Sequence, residues 1–364
     1  MKVVVPREAA EYERRVACVP DTVKRMLAGG LSVAVERGAG LAAGYADEAY
    51  VDAGAELVDR DALKLADVVL AVQPLPLADA KTLREGSLVL SFLQPAAEPE
   101  LVATFAARKV NAMSLERLPR ISRAQSMDAL SSQSLVIGYR AALIAAERLP
   151  RFFPLLMTAA GTVPPAKVLV LGAGVAGLQA IATARRLGAV VSAYDVRTAA
   201  AEEVKSLGAT FVALDLEALE GAGGYAREMT EDRAARQREL LTPYLAASDA
   251  VITTAAVPGR QAPLLVDTAM VEAMRPGTVI IDIAAESGGN CELSRPGEEV
   301  MHNGVLVWGG RNMASGMAFD ASRLYARNLA NLLLLMTKDG IVTTDLDDEI
   351  VAGALVVHDG AVRG

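Results

Sequence analysis

The stretch "KVLVLGAGVAG" places glycines at 172, 174 and 177, the spacing of a phosphate-binding turn. Its setting matters more than its spacing, because an apolar run leads into it and an alanine-rich helical pattern leads out. In that setting the first glycine permits a tight turn, the second lets a pyrophosphate approach the backbone, and the third lets helix pack on strand. A helix opening at Val175 and Ala176 would offer its unpaired N–H groups to the phosphates. Asp195 ends the next apolar run, eighteen residues past Gly177, with Val196 beside it. A carboxylate there accepts from adenosine ribose hydroxyls and repels a 2′-phosphate, so NAD(H) is expected over NADP(H). Arg197 complicates the preference, since its guanidinium would either receive a 2′-phosphate or stack on adenine.

A second chemical feature is the polar stretch "PRISRAQSMDALSSQS", Pro119 to Ser134, with two Arg, two Gln, one Asp and five Ser in an otherwise apolar chain. Composition alone reads it as a solvated linker capped by serines. Gly221 to Gly224, "GAGG", marks a flexible excursion before Tyr225. The two histidines, His302 and His358, read as surface or strand-end residues. Cys18 and Cys291 are far apart, without a CxxC or a histidine at ligand spacing, so neither a disulfide framework nor a metal site is expected.

The elements that must position these residues are short apolar runs alternating with helical patterns. "KVVVP", "LSVAVE", "ADVVLAVQ" and "SLVLSFL" form a first βαβ array, and a second runs from "KVLVL" through "GATFVAL", "ASDAVITTA" and "GTVIIDIA" to "GVLVWGG". A helix over "SLVIGYRAALIAAERLPRFF" links the arrays, and a long helix after Met313 returns the chain to the first. The expected fold is α/β, two Rossmann-like parallel-sheet domains with a cleft between them, the second inserted into the first. The expected boundaries are 1–130 plus 310–364, and 131–309 for the NAD(H)-binding domain. The 364-residue length, 52% apolar and only 4% aromatic composition agree with two such cores. A net charge of −8 without Lys/Arg clusters excludes a nucleic-acid partner, and no apolar run approaches the roughly 20 residues of a membrane helix. The N-terminus lacks a signal-peptide pattern, so a cytoplasmic location is expected.

The segment "LLMTAAGTVPPAKVLVLGAGVAGLQAIATARRLGA" resembles the signature shared by alanine dehydrogenases and the NAD(H)-binding components of proton-translocating nicotinamide nucleotide transhydrogenases. The resemblance runs the whole chain, through "PREAAEYERRVACVP" and "GTVIIDIAAESGGNCEL". It implies the discontinuous two-domain fold. Alanine dehydrogenases of this family bind the substrate acid with an Arg, a Lys and a His; Arg15 matches the first, but Gln73 and Gln94 stand at the other two positions. Glu286 stands for the family's substrate-side Asp. Oxidising an amine or alcohol releases a proton that needs a base, whereas hydride transfer between two nicotinamides needs orientation without one.

The resemblance therefore implies the transhydrogenase branch and gives the polar loop a role. Arg120 and Asp128 would pair to fix the nicotinamide carboxamide, Gln125 would reach toward the second nicotinamide, and Ser131 would contact the nicotinamide ribose. Arg123, Gln133 and Ser134 read as ordinary loop or helix-start residues. Gly224 and Tyr225 resemble a mobile loop that closes over nucleotide, and Gln237, Ala255 and Val257 match further nucleotide contacts. The implied activity is that of a proton-translocating, Re/Si-specific NAD(P)+ transhydrogenase, with this chain as one subunit. NADP(H) would sit on a partner subunit, beside membrane-spanning subunits that hold the chain peripheral to the inner membrane; a homodimer is implied as well. The alternatives are an alanine dehydrogenase-like oxidoreductase and a non-catalytic NAD-sensing subunit.

Overall fold

A computed structural model of the chain describes residues 1–216, 230–256 and 260–363. These residues divide into two compact units, Met1–Gln133 with Ala314–Gly364, and Ser134–Met313. Each unit is built on its own twisted sheet with helices on both faces.

Among the described residues, the main sheet of the first unit has eight strands. Lys2–Val5 lies near the middle, flanked by Ser32–Glu36 and Glu56–Val58 on one side and by Val68–Leu70, Leu88–Ser91 and Asn111–Ser114 on the other. Those six are parallel, as the valine- and leucine-rich runs require: with residues such as Val3, Val4 and Val5 all buried, no face is left for water. The chain returns at its end to add Leu355–His358 antiparallel beside Asn111–Ser114. One apolar core lies on each face; the larger is closed by the helix Ala318–Leu335 through Tyr325, Leu329, Leu332 and Leu333. The buried Tyr325 hydroxyl donates to the Ala71 carbonyl at 2.8 Å, which satisfies its polar end.

The second unit orders its strands as Thr210–Phe211, Val190–Tyr194, Lys167–Leu171, Ala250–Thr253, Val279–Asp282, Val305–Gly309 and Glu299–His302. All pair in parallel except the last, which is antiparallel to Val305–Gly309. Between Lys167–Leu171 and Ala250–Thr253 the connections diverge to opposite sides, the switch point at whose carboxyl ends ligands bind in open parallel sheets. An exposed hairpin, Leu156–Thr158 with Gly161–Val163, precedes this sheet.

The linking helix is Ala129–Arg148, so it begins inside the polar stretch rather than after it. Asp128 explains the early start. Its Oδ1 accepts from the Ser131 backbone N–H at 2.9 Å and its Oδ2 from the Ser131 hydroxyl at 2.5 Å, an N-cap that satisfies helix donors otherwise left open. Further on, Gly138 brings this helix against the helix Val175–Arg186. A Cβ at Gly138 would lie 2.0 Å from the Ala176 carbonyl oxygen, so only glycine fits.

Candidate dinucleotide site

The glycine turn follows Lys167–Leu171 directly, and the helix Val175–Arg186 opens from Gly174 as its N-cap residue, without a side-chain cap. The three glycines are required for different reasons. Gly172 has φ +100°, and a Cβ there would meet the Thr254 hydroxyl at 2.6 Å. A Cβ at Gly177 would lie 1.9 Å from the Gly172 carbonyl oxygen. Both are demanded by the protein's own packing. Gly174 is not: its φ is an ordinary −77°, it is exposed, and a Cβ would meet nothing within 4 Å. A glycine that neither conformation nor packing explains, at an uncapped helix N-terminus, is what close approach of a phosphate would need. Val175 is exposed beside it and Ala176 is buried within the same first turn.

Thr254 carries no signal in the sequence, although its hydroxyl donates to the Gly172 carbonyl at 2.9 Å and so braces the turn. Its neighbour Ala255 is tied through both backbone polar groups to Asn290: Ala255 N–H donates to Oδ1 at 3.0 Å and Asn290 Nδ2 donates to the Ala255 carbonyl at 2.8 Å. Asn290 is in turn seated by the buried Asp282, whose Oδ2 accepts the backbone N–H groups of Asn290 at 2.8 Å and Cys291 at 3.0 Å. The Ala255 N–H is therefore already spoken for, while its carbonyl keeps one acceptor site beside the Asn290 amide. Only the three-dimensional fold reveals this bracing, since Asp282 and Asn290 bond mostly backbone atoms.

Asp195 links the second strand to the turn. Its Oδ2 accepts from Ala173 N–H at 2.7 Å, and its Oδ1 from Arg197 N–H at 2.8 Å and Nε at 2.9 Å. Val196 packs toward the core beside it. Gln237 is 1% exposed and its carbonyl accepts from the Tyr194 hydroxyl at 3.0 Å. Gly224, Tyr225 and Val257 lie outside the described residues.

In the first unit, Arg120 and Gln125 are exposed, with Gln125 on the short helical turn Ser122–Met127. That turn is fastened at several points. Asn328 and Asn331 both donate to the Ser126 carbonyl, at 2.9 and 2.8 Å. Arg123, an ordinary loop residue by sequence, forms a two-pronged ion pair with Asp348 at 2.7 and 2.8 Å. Gln133 is equally unremarked by sequence, yet it is buried, its carbonyl accepting from Arg15 Nη1 at 2.8 Å and its amide donating to the Ala321 carbonyl at 3.1 Å. The loop is thus a held platform rather than a slack linker.

Arg15 sits in a buried polar network at the carboxyl ends of the first sheet's strands. It is 5% exposed and pairs with Glu13, Nη2 to Oε2, at 2.7 Å. Gln73 Nε2 donates to the same Glu13 oxygen at 2.8 Å, and Gln94 Nε2 reaches Gln73 Oε1 at 3.4 Å. Gln94 has φ +48°, held by Glu116, which accepts from the Leu93 and Gln94 N–H groups at 3.2 and 3.1 Å. Glu8 does the same for Val72 and Gln73, at 2.7 and 3.1 Å. Burial would raise the Glu13 pKa, but the hydrogen bonds and charge of Arg15 outweigh it and hold the carboxyl at about 2. At Glu8 desolvation outweighs the hydrogen bonds from Val72 and Gln73 and the charge of Arg15, and pushes the carboxyl up to about 7.

Other reactive groups are quiet. Burial pushes both the Cys18 and Cys291 thiols up to about 12, so neither is a nucleophile near neutral pH. His302 ends a strand and contacts Glu272 Oε1 at 3.0 Å, and His358 ends another. Glu286 is exposed and accepts from Asn312 N–H at 2.8 Å. Among the described residues, no group of three or more His, Cys, Asp or Glu could hold a metal ion, and no helix is long and apolar enough to cross a membrane.

Two parallel-sheet units, one with a glycine turn, an uncapped helix N-terminus and a strand-end Asp, define a two-domain α/β protein with a dinucleotide fold. The chain belongs to the alanine dehydrogenase/PNT family: the N-terminal domain model matches residues 4–137 and the C-terminal domain model residues 141–364. It is 48% identical to an NAD(P) transhydrogenase subunit alpha chain of Rhodospirillum rubrum, over 100% of this chain and 97% of that protein. The crystal structure of transhydrogenase from Sinorhizobium meliloti superposes with a TM-score of 0.88 at 41% identity, covering 100% of this chain and 98% of that one. Alanine dehydrogenase of Bacillus subtilis is similar at 32% identity, over 80% of this chain and 72% of that protein.

Proposed function

We propose that the chain is the NAD(H)-binding subunit of a proton-translocating nicotinamide nucleotide transhydrogenase, exchanging hydride with NADP(H) held on a partner subunit. The observation that carries this reading over the amino-acid dehydrogenase branch is the Gln73–Gln94 pair. At the positions where that branch is expected to carry a Lys and a His, two amides hydrogen-bond to each other and to Glu13, and an amide cannot take up the proton an amine oxidation releases. NAD(H), when bound, supplies the nicotinamide carbon that gives or accepts hydride. The protein's part is then to bind and orient. The amides of Val175 to Gly177 and the open backbone at Gly174 would hold the pyrophosphate, and Asp195 the adenosine ribose. Arg120, Gln125, Asp128 and Ser131 would orient the nicotinamide end. Asp128 already has an orienting partner in Ser131, and Asn328, Asn331 and Arg123 keep the platform in place.

NADP(H)-binding and membrane-spanning subunits follow as partners, and with them a place at the inner face of the membrane. A second copy of the chain is supported by the hairpin at Leu156–Thr158, where Met157 is 80% exposed and Leu155 and Phe152 are exposed nearby. Sedimentation at two concentrations tests this; a monomer throughout would count against it. The function is tested by Gln125→Asn. Hydride exchange with the NADP(H)-binding subunit should fall at least tenfold while NADH affinity stays within about threefold, because the Gln125 side chain is exposed on a turn that other residues hold in place. Unchanged turnover would remove Gln125 from the reaction.

A further inference from the structure

The pair Asp195–Arg197 supports an inference that rests on the NAD(H) reading and goes beyond it. The Asp195 carboxylate is crowded with donors: Arg197 Nη2 and Ala173 N–H on Oδ2 at 2.9 and 2.7 Å, Arg197 Nε and Arg197 N–H on Oδ1 at 2.9 and 2.8 Å. A carboxylate has about four acceptor sites, so the set is full. Burial would raise this carboxyl's pKa, yet the Arg197 and Ala173 hydrogen bonds hold it below the ordinary aspartate value. Two of the four donors are backbone and fixed. The other two belong to the guanidinium of Arg197, whose side chain is 24% exposed against 6% for Asp195. Ribose hydroxyls that bond to Asp195 must displace one or both of them.

We propose that Arg197 is a specificity-determining residue that Asp195 keeps out of service: while the carboxylate is charged it holds the guanidinium, and neutralising it turns Arg197 into a receptor for the 2′-phosphate of NADP(H). Asp195 thus selects NAD(H) twice, by repelling a 2′-phosphate and by occupying the cation that would bind one. The two effects separate in a double-variant cycle.

NADH, NADPH and 2′,5′-ADP are titrated against the full chain by fluorescence or calorimetry, in the unmodified protein, Asp195→Asn, Arg197→Gln and the double variant. Asp195→Asn keeps the shape and removes the charge, and a melting curve on each variant establishes that it is folded. Asp195→Asn should bind NADPH and 2′,5′-ADP at least tenfold more tightly than the double variant does, with the advantage shrinking as salt rises. Arg197→Gln alone should leave NADPH weak. Equal NADPH and 2′,5′-ADP affinities in Asp195→Asn and the double variant would overturn the role of Arg197 and leave simple repulsion. Failure of the unmodified protein to bind NADH would instead overturn the NAD(H) reading itself.

Discussion

Replacing Gly174 by Ala and Gly177 by Ala should separate ligand binding from folding, because the structure gives the two glycines opposite reasons to exist. At Gly177 an added Cβ would stand 1.9 Å from the Gly172 carbonyl oxygen and 2.8 Å from its carbon. Both atoms are backbone. Reaching ordinary contact near 3.5 Å requires the helix or the turn to move by about 1.6 Å, a forced overpacking of about 3 kcal/mol. For the unit Ser134–Met313 unfolding on its own, that lowers the melting temperature by roughly 6 to 12 °C. At Gly174 the added methyl meets nothing and the backbone is unstrained, so stability should change by less than about 1 kcal/mol, the small N-cap preference for Gly over Ala. Under the proposed function, the methyl would stand where a pyrophosphate approaches. Losing one charge-assisted hydrogen bond costs about 1.5 to 3 kcal/mol, or about 10- to 100-fold in NADH affinity. Differential scanning fluorimetry and NADH titration read the two axes separately. NADH binding unaltered in Gly174→Ala, or a melting drop there as large as in Gly177→Ala, would refute the reasoning.

Gly138→Ala should cost about 2 to 4 kcal/mol in a denaturant melt and weaken NADH binding, since its methyl would strike the Ala176 carbonyl at 2.0 Å, in the first turn of the helix Val175–Arg186 proposed to hold the phosphates; an unchanged midpoint would refute the contact. For Glu8, with a folded pKa of about 7 against 4.5 in the open chain, the carboxyl is protonated in both states at low pH. Between those values the unfolded chain ionises first, so stability falls as pH rises. Glu8→Gln should therefore gain on the unmodified protein by on the order of 1 to 3 kcal/mol between about pH 4.5 and pH 8, measured by urea unfolding, and a constant difference across that range would contradict it. Glu13→Ala strands the buried Arg15 guanidinium and should cost about 3 to 5 kcal/mol, read in the same unfolding experiment; a loss under about 1 kcal/mol would mean that the pair is not buried as described.

The glycine turn and Asp195 are legible in the sequence because they are local: strand, turn and helix follow one another within one segment, and the acid lies one strand on. The buried network is not. Arg15 meets Gln133 across 118 positions, and Glu8 and Glu116 act through backbone amides of Val72, Gln73, Leu93 and Gln94, groups every residue carries. No residue type marks such a partner in advance. The same holds for Asn290, which grips the backbone of Ala255, and for Gln133 and Arg123, whose partners Arg15 and Asp348 come from the two ends of the chain. The start of the helix Ala129–Arg148 is obscured by its serines, which favour loops until Asp128 caps them. The antiparallel strand Leu355–His358 follows a short helix directly and an acidic stretch closely, so it does not stand out from the periodicity.

The most direct test of the central claim mixes this chain with separately produced NADP(H)-binding subunit, NADPH and an oxidised NAD analogue whose reduced form absorbs at its own wavelength. A parallel reaction holds this chain alone with NADH, pyruvate and ammonia. Reduction of the analogue that needs both proteins, with no pyruvate-dependent loss of NADH, is the predicted result. Pyruvate-dependent oxidation of NADH by this chain alone would contradict it, and would mean that amides at Gln73 and Gln94 suffice for an amino-acid dehydrogenase.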